Sequence, residues 1–284
     1  MYKGFLLASL VLFVPVGLWG CQPATETPSE TTAETENDLA ANGGESGTLT
    51  LIADAEDRMR EGFVSKDGWR LEFEEVYVTF NNVRAYQADP AFDPETDTTP
   101  NSTRVVELIT SPQTVDLVGG EEETPTVVTK TAPAGHYNAL YWEMVPAEMG
   151  EATGSSLFLK GTATKEGRSI DFAIALDKPV SHYCGEYVGD VRKGFLPNEE
   201  TAELEMTLHF DHFFGRSDRD PDESPNAEAI GFEPFAQLAE GDSLTINSEQ
   251  LRARLSEEDY QTLVFSVTEL GHVGEGHCRV EPLS

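Results

Sequence analysis

The chain has 284 residues, 51 of them acidic and 19 basic, for a formal net charge of −32. A field of that sign repels polyphosphates and anionic lipid surfaces, so no nucleic-acid partner is expected. The sequence holds no GxSxG elbow, no P-loop and no GxGxxG after a strand, so no enzymatic activity is expected either.

The first predicted element is a leader. A short basic start, Met1-Tyr2-Lys3, precedes an apolar stretch over residues 4–18 that Ser9, Pro15 and two glycines interrupt. Such a stretch is too short and punctuated to span a bilayer, and residues 1–20 read as a secretory signal peptide. The closing "LWGC" resembles the bacterial lipobox, with Leu18 at its first position, Gly20 before the cut and Cys21 as its cysteine. The resemblance implies a bacterial lipoprotein. Its Cys21 would be diacylated, its partner would be the membrane through that lipid anchor, and it would face the periplasm or the cell surface. Several acyl chains on one residue hold a protein stably where a single chain does not. Residues 21–47 then contain no aromatic residue and one leucine, too little to offset the entropy of ordering, and form the predicted tether.

From residue 48 the pattern has period two. Strands are predicted at 48–53, 70–86, 104–109, 113–118, 125–131, 137–145 and 202–210. The 70–86 run slips phase at Glu74-Glu75, which reads as a β-bulge. A hairpin is expected in 156–176, turning at Lys165-Glu166-Gly167. After residue 212 the period changes. A short helix is predicted around 232–239, and two more follow in 247–271, with Ser256 as an N-cap, Asp259 at the reciprocal capping position and Gly271 as a stop. The expected fold is mainly β: an antiparallel β-sandwich over 48–212, with a C-terminal α-helical appendage over 213–284.

The opening "GTLTLIADA", the strand "FEEVYVTFNNVRAY", a later "TVDLV" and "APAGHYNALYWEMV" resemble a family of bacterial β-sandwich lipoprotein domains of unknown function. The resemblance spans residues 48–146. It implies a sandwich and placement in the envelope, and it implies no activity. The histidine-rich part of the chain lies outside it.

With Cys21 committed to lipid, Cys184 and Cys278 remain as an even pair in an oxidising compartment, and a disulfide between them is predicted. Five of the six histidines fall in "HYCGE", "HFDH" and "GHVGEGHC". The bond would bring His182 and His277, which flank the two cysteines, into one neighbourhood. On a strand, His209 and Asp211 would share the polar face, while His212 would point to the core until the chain turned. Imidazole and carboxylate suit Zn²⁺ or another divalent transition metal. The candidate ligands are therefore His209, Asp211, His272 and His277, with His182 or His212 completing the set. "DRDPD" (Asp218, Asp220, Asp222) opens like a calcium loop, but Glu223 stands where the loop needs glycine and Ala229 where it needs the bidentate glutamate. Two functions follow. One is a lipid-anchored extracytoplasmic binding protein for a transition metal. The other is a structural or adhesion-type envelope module, with an envelope protein as partner and histidines that only pack around the disulfide.

Overall fold

The computed structural model describes residues 44–120 and 124–283. The predicted leader, the predicted lipidation site Cys21 and the predicted tether up to residue 43 lie outside the described residues. In chain order the elements are β1 (Ser46–Asp54), α1 (Asp57–Glu61), β2 (Phe63–Val64), β3 (Arg70–Ala88), β4 (Ser102–Glu107), β5 (Gln113–Asp116), β6 (Thr126–Pro133), β7 (Gly135–His136) and β8 (Ala139–Met144). There follow β9 (Leu157–Lys165), β10 (Arg168–Leu176), β11 (Val180–Cys184), β12 (Phe195–Leu196), β13 (Thr201–Leu208), α2 (Asp211–Phe214) and α3 (Glu233–Leu238). The last are β14 (Ser243–Asn247), α4 (Ser248–Arg254), α5 (Glu257–Thr268), β15 (Gly271–Val273) and β16 (Gly276–Pro282).

Alternation decides which side chains these strands bury. Leu49, Leu51 and Ala53 of β1 are fully buried, as are Leu71, Val76, Val78 and Phe80 of β3. The change of phase within β3 falls between Phe73 and Glu75, where pairing with β9 shifts register, so the bulge lies where the sequence places it. Glu166 and Gly167, at φ 50° and 83°, turn the chain between the paired Lys165 and Arg168. Two left-handed residues in a row give the turn whose twist matches the flanking strands. In the C-terminal third, the Ser256 hydroxyl accepts from the Asp259 N–H at 3.0 Å and caps α5.

Fourteen strands join in one mixed sheet, whose main path runs β14-β10-β9-β3-β8-β11-β16-β15-β13-β1-β6, with β2, β4 and β5 added along β3. Most pairings are antiparallel, but β1 runs parallel to β13 and β10 parallel to β14. Strand periodicity carries no information on pairing direction. A parallel pair needs only a crossover of about a dozen residues or more, which both intervals supply. The helices predicted for residues 213–284 are present, yet they alternate with β14, β15 and β16, three strands of the main sheet. Phe213, Phe235, Leu251 and Val267 belong to the same buried cluster as Leu51 and Trp142. The C-terminal third is thus woven into the sheet and core, because its short strands β14, β16 and β15 pair with β10, β11 and β13. Among the described residues, no helix is long and apolar enough to cross a membrane.

Cys184 and Cys278 form a disulfide between directly paired positions of β11 and β16, with Cα atoms 4.3 Å apart and a sequence separation of 94. A loop of that length constrains the unfolded chain strongly. Replacing both cysteines with alanine is expected to lower the unfolding free energy by about 2–4 kcal/mol. Chemical denaturation without reductant measures it, and a change below about 0.5 kcal/mol would contradict the estimate.

Candidate metal centre

Two local structures bring the histidines together. The first is the end of β13. Phe210, Phe213 and Phe214 are all fully buried, and to place three such rings in the core the chain leaves the strand and turns. The strand stops at Leu208, and the His212 N–H donates to the His209 carbonyl at 3.1 Å. The expectation that His209 and Asp211 share one face of a continuing strand therefore gives way. Asp211 opens the helical turn α2, and the turn swings His212 toward His209, with ring centroids 6.0 Å apart.

The second is the hairpin of β15 and β16. Val273 pairs with Gly276 across a turn in which Gly274 has φ 60°, and its missing Cβ leaves room for the Val188 carbonyl. This register sets His272 directly opposite His277, while Thr207 of β13 lies opposite His272 on the other side. Directly opposed residues project from the same face, and His209 follows Thr207 by two positions. One sheet face thus gathers His209, His272 and His277.

The rings are close. His272 lies 4.4 Å from His209, 5.1 Å from His212 and 4.6 Å from His277, centroid to centroid. Nε2 of His272 is 3.1 Å from Nδ1 of His277. Two nitrogens bound at 2.0–2.1 Å to one tetrahedral ion stand about 3.3–3.4 Å apart, so this pair is close to ligating geometry. Nδ1 of His272 meets the Leu270 carbonyl at 3.2 Å, and Nε2 of His209 meets the Gly274 carbonyl at 3.1 Å. A backbone carbonyl on one ring nitrogen orients the other, as around many bound metals. Burial, with His209 adding to it, pushes His272 down to about 3, and burial also lowers His212. Both rings are therefore neutral at physiological pH, the form a metal binds.

His182 is not part of this group. It stacks on Trp142, its direct partner on β8, at 5.0 Å and 18° between planes. Its ring lies where a Cβ on Gly271 would be, with Cδ2 2.2 Å from that position. Gly271 and His272 are consecutive strand residues and face opposite ways, so His182 lies behind the sheet face that carries the cluster. The disulfide agrees. His182 is two residues from Cys184 and shares its face, while His277 is one residue from Cys278 and does not. His182 is fully buried, with both ring nitrogens unpartnered among the described residues. His136 is also separate, stacked on Phe195 at 3.8 Å with Nε2 3.4 Å from Glu186.

Carboxylates adjoin the histidines. Arg58 ties Oδ2 of Asp211, at 3.0 Å, to Oε1 of Glu56, at 3.2 Å. Oε2 of Glu56 lies 3.9 Å from Nδ1 of His209. Sequence reading missed Glu56, which is 153 residues from His209 and sits in an ordinary-looking acidic run. From His209 a cleft of about 790 Å³ opens toward solvent, lined by Asp54, Asp57, Glu203, Glu205 and Glu275, with Lys193 as its cation. The concentration of negative charge there attracts cations toward the histidines. "DRDPD", by contrast, is closed on itself. Asp218 binds Arg216 through two hydrogen bonds of 2.9 and 2.6 Å, and the Asn226 amide donates to the Arg216, Arg219 and Asp220 carbonyls.

No protein-family model, curated protein or solved structure matches the chain.

Proposed function

We propose that the protein is a lipid-anchored extracytoplasmic binding protein whose cargo is a divalent transition metal held by His209, His212, His272, His277 and Asp211. The single observation that carries this reading is the approach of four imidazoles around His272, with the His272 and His277 nitrogens 3.1 Å apart. Imidazole-rich donor sets suit Zn²⁺, Cu²⁺ and Ni²⁺ and do not suit calcium or magnesium. The neutral state of the buried His272 removes proton competition near pH 7. The acidic cleft supports delivery of a cation to His209. The lipobox-like "LWGC" supports anchoring through Cys21 on the outer side of a membrane, with the residues between Cys21 and β1 as the tether. The curled sheet, closed over one core, is read as sandwich-like, a rigid support for the ligands.

The test is elemental analysis of the purified full chain beside a His209→Ala/His277→Ala double variant, both dialysed against high salt. The expected result is bound zinc, copper or nickel in the wild type and its loss in the variant. Equal and negligible metal in both would leave the envelope-module function, with the His272–His277 contact as a plain hydrogen bond.

A further inference from the structure

The cluster holds more donors than one ion uses, and they fall into two groups. Ligand atoms of His209, Asp211 and His212 all lie within 4.8 Å of one another. Glu56 adjoins this group through Oε2, 3.9 Å from His209 Nδ1. The second group is the His272–His277 pair, with its nitrogens 3.1 Å apart. Zinc in a closed protein site takes four ligands, and six side chains converge here.

Two further observations point to the carboxylates. Arg58 occupies one oxygen of each, and the remaining ones, Oε2 of Glu56 and Oδ1 of Asp211, are buried with no hydrogen-bond partner among the described residues. The Asp211 side chain is only 10% exposed. A buried acceptor without a donor is costly, and a cation removes the cost. Glu56 also has φ 62° and ψ 156°, a conformation that residues other than glycine rarely adopt. Its carboxylate lies between Arg58 and His209.

We propose that the site is dinuclear. One cation is bound by Glu56, His209, Asp211 and His212. The other is bound by His272 and His277, with its remaining positions open to water or a small ligand. The proposal rests on the transition-metal reading above.

Zinc counting separates the two. The full chain, stripped with a chelator, is loaded with Zn²⁺ in high salt with excess Mg²⁺ on the surface carboxylates, then passed through a desalting column. Two zinc ions per chain are expected, falling to one in Glu56→Gln and to one in His277→Ala. One ion in the wild type overturns the dinuclear centre and leaves the metal reading standing. None overturns both. Two ions retained by Glu56→Gln overturn the ligand assignment. A measurement on wild type alone guards against variants that do not fold. On titration with Cu²⁺, the electron paramagnetic resonance signal of the first equivalent is expected to be lost through spin coupling as the second binds. Doubling of an uncoupled signal overturns the proposal.

Discussion

Replacing His272 with alanine is expected to weaken zinc binding by a factor on the order of 100 or more. Loss of an outer-shell partner of a metal ligand already costs about 10–100-fold, and a ligand itself should cost at least the upper end. His272 supplies one of the two protein ligands proposed for the second ion, and it is the binding of that ion that should weaken. Its ring adjoins His209, His212 and His277, and no other ring of the cluster is within 5.1 Å of all three. The Leu270 carbonyl holds its Nδ1 and so presents Nε2. Burial keeps the imidazole neutral, so metal need not displace a proton there. Alanine fits an exposed or buried strand position without new strain, so the fold should survive. Competition against a chromophoric chelator at pH 7 measures the change. A loss of less than about threefold would show that His272 is only a neighbour of the site, since a ligand costs more.

The second large effect concerns stability rather than binding. Burial alone pushes His182 down to about 3 from its ordinary 6.5. Its folded-state value is depressed, so between these two pH values the unfolded chain binds a proton that the native chain does not. Stability contributed by keeping this ring neutral is complete above pH 6.5 and is lost as pH falls toward 3. At pH 4 the loss amounts to about 3 kcal/mol from this one residue. His182→Phe retains an aromatic ring against Trp142 and removes the titration. In the presence of a chelator, wild type should lose about 3 kcal/mol more than His182→Phe between pH 7 and pH 4. Denaturant unfolding at the two pH values measures this. Equal acid losses would mean that His182 takes up its proton in the native state. Zinc affinity at pH 7 should be unaffected by the same substitution, because His182 lies behind the sheet.

Much of the strand framework was legible because each strand buries one face over a common core. Leu49 and Leu51, or Val76, Val78 and Phe80, announce themselves by alternation. The bulge at Glu74-Glu75 and the turn at Glu166-Gly167 are also local and readable. Pairing partners are not local, which is why the parallel β1–β13 and β10–β14 contacts could not be read from periodicity. The same limit turned an expected helical appendage into helices interleaved with β14–β16. The histidine group shows both sides of this. The sequence places "GHVGEGHC" only through the disulfide at Cys278, whereas the segment is a tight hairpin that pairs His272 with His277 on its own. Its Gly-Glu turn, between a valine and a glycine that pair, is a hairpin signal. His182 was drawn toward the site by nearness to Cys184, but parity along the strands puts it on the opposite face from His277. Counting residues from each cysteine gives this only once both are known to lie on directly paired strands. Glu56 carried no such signal, since only the fold of α1 and β13 brings it to His209.

The central claim is that imidazoles of this cluster bind a transition metal, and X-ray absorption on the zinc-loaded full chain tests it most directly. The account predicts a shell of nitrogen and oxygen at about 2.0–2.1 Å with the outer scattering pattern of several imidazole rings. A shell of oxygen alone, without imidazole scattering, would place the zinc on the acidic surface and contradict it.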